Sequence, residues 1–213
     1  MAKSEIEKVA WSGRLVAVQP RIRLIRSFDE RWHDYPGYVL RIDGTCGDET
    51  GVFLIAVGKS AHEKHQFCAG MELSGMSVPV GDPRLETAGY YKTSRIKIEK
   101  SAEDAPAKGP PFCGAPPDLP TYRWRGHRRL NPRTYETKCP TCIWGCRMPV
   151  ELIIDNWKPW IKKYRSETFC YGPKSCQLYR AGATRKVPGR GGISYEEADW
   201  IDEEVTSHRP ADD

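Results

Sequence analysis

Thiolates are soft ligands that select zinc and iron–sulfur centres, and five of the chain's eight cysteines fall in two short runs, Cys139-Pro-Thr-Cys142-Ile-Trp-Gly-Cys146 and Cys170-Tyr-Gly-Pro-Lys-Ser-Cys176. A C-x2-C pair lets two sulfurs on one tight turn reach the same ion. A second pair supplied from elsewhere in the chain completes a tetrahedron around Zn2+. Pro140 and Gly145 suit the sharp turn that such a knuckle makes. Cys139, Cys142, Cys170 and Cys176 form the simplest four-thiolate set, and Cys146 can replace one of them. Zinc is the expected metal. The spacing also admits a 4Fe-4S cluster, which takes four cysteines as well. Four protein thiolates leave no open position for a substrate, so a structural role is expected.

The segment that leads into the first cysteine carries a second kind of chemistry. Between Thr121 and Lys138 there are six Lys or Arg against one Glu, a net charge equal to the +5 of the whole chain. Tyr122, Trp124 and Tyr135 are interleaved with these cations. Cations that follow phosphates and rings that stack on bases are what single-stranded nucleic acid requires. Arg123, Trp124, Arg125, Arg128, Arg129 and Arg133 are therefore candidate nucleic-acid contacts. The competing expectation is a solvated segment whose aromatic rings pack under the knuckle.

The elements that must position these groups read as mainly β with minor α. Arg21–Arg26 interleaves charged and aliphatic residues, and with the apolar Gly13–Val18 before it predicts one long strand bent near Pro20. Tyr38–Ile42 and Val52–Val57 predict a hairpin around Asp43-Gly44 and Gly47-Asp48. Ser60–Phe67 predicts a short helix with Ser60 as N-cap and Glu63 as its capping-box partner. Gly70–Val80 and Gly89–Ile98 predict two further strands. His62, His65 and Cys68 share a face of the helix with metal-ligand chemistry, and the expectation preferred over a metal site is that they are solvated or line the core.

Three strands, a helix and two strands, with a long bent first strand and Phe67-Cys68-Ala69-Gly70 leading into the fourth, resemble the OB-fold superfamily over residues ~10–100. That family is a five-stranded barrel that commonly binds oligonucleotides or oligosaccharides. The resemblance implies a ligand across the second and third strands and the loops at one end. Arg21, Arg23, Arg41, Lys59, Tyr90, Tyr91, Lys92 and Arg95 are then candidate nucleic-acid contacts. Tyr90 and Tyr91 also fit a strand with one ring in the core and one on the surface. The C-x2-C run with its proline and glycine looks like a zinc-ribbon knuckle, although the C-x5-C half departs from the usual ribbon pair.

The expected organisation is an OB-like β-barrel over 1–100, a proline-rich linker over 101–120, the basic segment and metal module over 121–193, and an acidic C-terminal helix and tail over 194–213. Within the module, Val150–Ile154 predicts a strand. Asn156 predicts the cap of a helix that buries Trp157, Trp160 or Ile161, and Tyr164 in a small core. Ser194 and Glu197 predict a capping box that starts the last helix, with Ala198, Ile201 and Val205 as its apolar stripe. Its acids are candidates to dock on the basic segment and compete with nucleic acid.

No P-loop, dinucleotide fingerprint, H-E-x-x-H or G-x-S-x-G is present, and independent catalysis is not expected. No apolar run reaches the roughly 18 to 20 residues of a membrane-spanning helix, and the N-terminal residues lack a signal-peptide h-region. A cytoplasmic location and no membrane partner are the expectations, and cysteines are then thiols or metal ligands rather than disulfides. The composite reading is a metal-containing protein that binds single-stranded or structured RNA or DNA. The alternative is an accessory or scaffold subunit of a larger enzyme, docked on a protein partner and carrying structural zinc or an iron–sulfur cluster.

Overall fold

The first strand, β1 (Val9–Arg26), pairs with three strands drawn from both halves of the chain. The computed structural model describes residues 7–27, 29–102, 109–197, 199–210 and 213. Residues 103–108 of the expected linker and Ala198 of the expected apolar stripe lie outside them. The architecture is mainly β, with a large eight-stranded sheet and, among the described residues, four short α-helices.

β1 is the one long strand expected but begins before the predicted Gly13, at Val9, and it is bent at two register shifts, between Leu15 and Ala17 and between Arg21 and Arg23. Such bulges turn a strand from one set of partners to another. Along its length β1 pairs antiparallel with β2 (Arg31–Cys46). Its first residues pair with β4 (Glu72–Pro79), and Leu24–Arg26 run parallel to Val150–Leu152 of β7 (Gly145–Ile153). β2 and β3 (Glu49–Gly58) form the hairpin expected at Gly47-Asp48. β3 meets β5 (Tyr90–Lys100) through the single parallel pair Ile55–Tyr90, and β5 pairs with β4. The order of pairings thus returns from β5 through β4 to β1.

Three expected local structures are corrected. The helix after β3, α1 (Lys59–His65), is capped at Gly58 without a side-chain bond. Ser60 sits inside its first turn, so the Ser60–Glu63 capping box does not form. The expected helix after Asn156 is instead a hairpin between β7 and β8 (Lys162–Cys170), in register from Gly145–Cys170 to Ile153–Lys162. Asp155 takes the turn by accepting from the Trp157 amide at 3.0 Å, and Asn156 is tied to Asp29. Ser194–Glu196 is a strand, β10, paired with β9 (Lys186–Pro188), and the last helix, α4, spans Trp200–Thr206. Glu197 is unavailable as a cap because Arg26 and Arg31 hold its carboxylate at 2.9 and 2.7 Å.

The main core crosses from the first half of the chain to the second: Leu15, Ile22, Leu40, Ile55 and Phe67 share it with Tyr122, Cys146, Met148, Val150 and Phe169. A smaller core holds Leu130, Tyr135, Cys139, Cys142 and Cys170. Among the described residues no helix is long and apolar enough to cross a membrane.

Candidate metal centre and aromatic cleft

Helix α3 (Pro132–Lys138) delivers the first cysteine. Asn131 caps it by accepting from the Thr134 amide, Pro132 occupies its first turn, and Cys139 is its C-cap. The Cys142 amide then bonds to the Cys139 carbonyl and the Gly145 amide to the Cys142 carbonyl, closing the knuckle. Gly145 is required by close approach: a Cβ there would stand 2.9 Å from the Cys139 carbonyl oxygen and 3.0 Å from Gln19 Nε2. Cys170 arrives at the end of β8, held by the two-residue strand β6 (Arg128–Arg129). Cys176 follows in a turn in which its amide reaches the Pro173 carbonyl.

Cys139, Cys142, Cys170 and Cys176 line one small cavity together with Phe112, Trp144 and Tyr179. Burial, and then the neighbouring sulfurs of Cys142, Cys170 and Cys176, push the Cys139 thiol up to about 12. Burial likewise pushes Cys142 up to about 11, and the Trp144 and Phe112 amides oppose it. The Gly172 amide approaches Cys170 Sγ at 3.4 Å. Cys146 lies apart, in the main core, with its sulfur 3.4 Å from the Pro20 carbonyl oxygen. The four converging side chains are the donor types that suit zinc. Among the described residues no group of three or more Cys, His, Asp or Glu stands in ion-holding geometry, so the sulfurs would have to draw closer to enclose one.

The candidate nucleic-acid residues divide by surroundings. Arg21 and Arg23 are committed to Glu86, whose carboxylate is buried. Burial works to raise the Glu86 pKa, and the two guanidiniums outweigh it and hold it below the ordinary value. Arg41 is half-buried on β2. On β5, Tyr90 packs edge-on against Phe53, Lys92 lies over the Tyr91 ring, and Arg95 is exposed beside Met76. Arg125 donates to the Tyr171 carbonyl oxygen and pairs with Asp213, and Arg128 donates to the Pro173 carbonyl oxygen and lies over Tyr179. Arg129 is buried against Asp199 and Asp202. The acidic C-terminal segment thus does dock on the basic one, through an arginine that is part of the interior. Arg133 is exposed on α3.

Lys59, Arg123 and Trp124 come together. They line a cleft of about 640 Å3 between α1 and α2 (Leu119–Arg125), walled by Tyr35, Tyr38 and His62. α2 starts there because Asp118 accepts from the Thr121 amide and Pro120 fits its first turn. Tyr122 anchors it by donating to the Ile143 carbonyl oxygen at 2.7 Å. Trp124 is 60% exposed, and the Arg123 guanidinium covers the Tyr35 ring. Tyr38 donates to the Pro117 carbonyl oxygen and its ring packs at a tilt on His62, 4.2 Å between centroids; burial pushes its hydroxyl up to about 12. Glu63 and Asp118 also line the cleft and offset its two cations.

No protein-family model matches this chain, and no curated protein or solved structure matches it. Tyr35 and Tyr38 were not readable as site residues, since Pro36 and Gly37 between them resemble a strand break. Gln19 gave no signal at all. Trp157 and Trp160, expected in a small core, are exposed.

Proposed function

We propose that this protein binds single-stranded nucleic acid in the cleft between α1 and α2. The observation that carries the reading is the convergence of Lys59, Arg123 and Trp124 with Tyr35 and Tyr38 around one opening. An exposed indole offers a stacking face and two cations can follow a backbone; stacking on such a ring contributes about 1–3 kcal/mol per base. The circuit of pairings through β1, β2, β3, β5 and β4, with α1 between β3 and β4, supports the reading of this part as a closed barrel of the OB kind. The cleft lies beside that barrel at the end of β3.

Cys139, Cys142, Cys170 and Cys176 are proposed to hold a single zinc ion. The four sulfurs around one small cavity support it. The ion would fix α3, β7 and β8 relative to one another.

The test is a titration of labelled single-stranded RNA and DNA oligonucleotides across a salt series. Two cations predict a shallow slope of log K against log salt, roughly −1 to −2. Trp124→Ala is expected to weaken binding about tenfold. Absence of binding by folded protein at low salt removes the reading.

A further inference from the structure

Trp157 and Trp160, on the turn between β7 and β8, are 82% and 73% exposed, the highest values among the described large apolar side chains. The backbone that presents them is fixed. The Trp157 amide donates to Asp155 Oδ1, the Lys158 amide to the Asp155 carbonyl, and the Ile161 amide to the Lys158 carbonyl. Asp155 is buried, and Asn156 Nδ2 donates to Asp29 Oδ1 at 3.3 Å. Two indoles are thus held in water by an ordered turn. Lys158 and Lys163 are exposed beside them, while Lys162 pairs with Glu151.

Indole rings among cations select a ligand that is both anionic and aromatic. We propose that this turn is a second nucleic-acid contact, with Trp157 and Trp160 stacking on unpaired bases of the strand held in the cleft and Lys158 and Lys163 facing its phosphates. The inference rests on the reading of the cleft. The contact to Asp29 fixes the turn close to the start of β2, and Tyr35 and Tyr38 of the cleft lie further along that strand. At about 3.3 Å per residue, Arg31 to Tyr38 covers roughly 20 Å. Stacked nucleotides at about 3.4 Å each need roughly six to cover that distance, within the usual range for one OB module.

The experiment compares oligodeoxythymidylates of about 4 and about 12 nucleotides, lengths that bracket that span, on the full chain and on a Trp157→Ala/Trp160→Ala double variant. A thermal melt confirms that the variant is folded. It is expected to bind the longer oligomer at least about thirtyfold more weakly than wild type and the shorter one equally well, whereas Trp124→Ala weakens both. Equal affinities of double variant and wild type for the longer oligomer overturn the proposal, as does an equal loss on both lengths. If the variant keeps its oligomer affinity but loses binding to phosphatidylserine vesicles, the turn is a membrane contact instead. A wild type that binds neither length removes the reading of the cleft itself, a result distinct from these.

Discussion

Gln19 Nε2, in the middle of β1, donates to the carbonyl oxygen of Cys142 at 2.8 Å. The same nitrogen donates to the Cys139 carbonyl at 3.0 Å, and Gln19 Oε1 accepts from the Tyr135 hydroxyl at 2.7 Å. One amide from the first strand therefore holds both ends of the cysteine knuckle and the helix that leads into it. All three bonds are buried.

Gln19→Leu keeps the volume and removes both donors and the acceptor. Each carbonyl oxygen keeps its knuckle amide, while the Tyr135 hydroxyl loses its acceptor, and the loss costs about 2 kcal/mol. A fall in denaturation midpoint together with faster metal release to a chelator is expected; partners that orient metal ligands act in this way. A variant with an unchanged midpoint would show that water replaces the amide.

Serine substitutions separate the ligand set from its neighbour. Cys176→Ser is expected to abolish stoichiometric zinc in elemental analysis. Cys146→Ser is expected to retain it, because that sulfur lies against Pro20 in the main core. Zinc lost from both variants alike would return Cys146 to the ligand set.

Arg21 and Arg23 are expected to contribute to stability rather than to ligand binding. Glu86→Ala removes a buried carboxylate from two guanidiniums and is expected to cost about 3 kcal/mol, the range for breaking a buried pair. Denaturant titration measures the loss. At temperatures where the variant is folded, its oligonucleotide affinity is expected to match wild type.

His33 gives the fold an acid-sensitive window. Burial, and then the Arg31 and Arg26 charges, lower its pKa to about 4, with Glu197 opposing them. Its ring lies 4.8 Å from that of His127, which burial also keeps neutral. As pH falls below about 6.5 the unfolded chain takes a proton that the folded one refuses, so stability declines down to pH about 4, where folded His33 also protonates. At about 1.4 kcal/mol per unit, His33 accounts for roughly 3 kcal/mol across that interval. His33→Phe is expected to flatten the dependence of unfolding free energy on pH by one proton, leaving the part that belongs to His127. An unchanged slope would assign the titration elsewhere.

Local pattern encodes the strands and the cysteine knuckle. Alternating charge and aliphatic residues marked the second half of β1, and apolar segments between turn signals marked β2, β3, β4 and β5, because a strand face on a core needs apolar side chains whichever partners it finds. C-x2-C marked the knuckle, because two ligands on one turn need that spacing. Tertiary structure decided the rest. Asn156 and Ser194 carry sound capping signals, yet Asp29 takes the first side chain and the arginines on Glu197 remove the second signal's partner. A charge run such as Thr121–Lys138 does not say which cations face water. Arg129 is spent on Asp199 and Asp202, and Arg123 stays at the cleft, because α4 covers the middle of the run and leaves Arg123 open. The partners lie as far as 73 positions along the chain, and local periodicity carries no information over that distance.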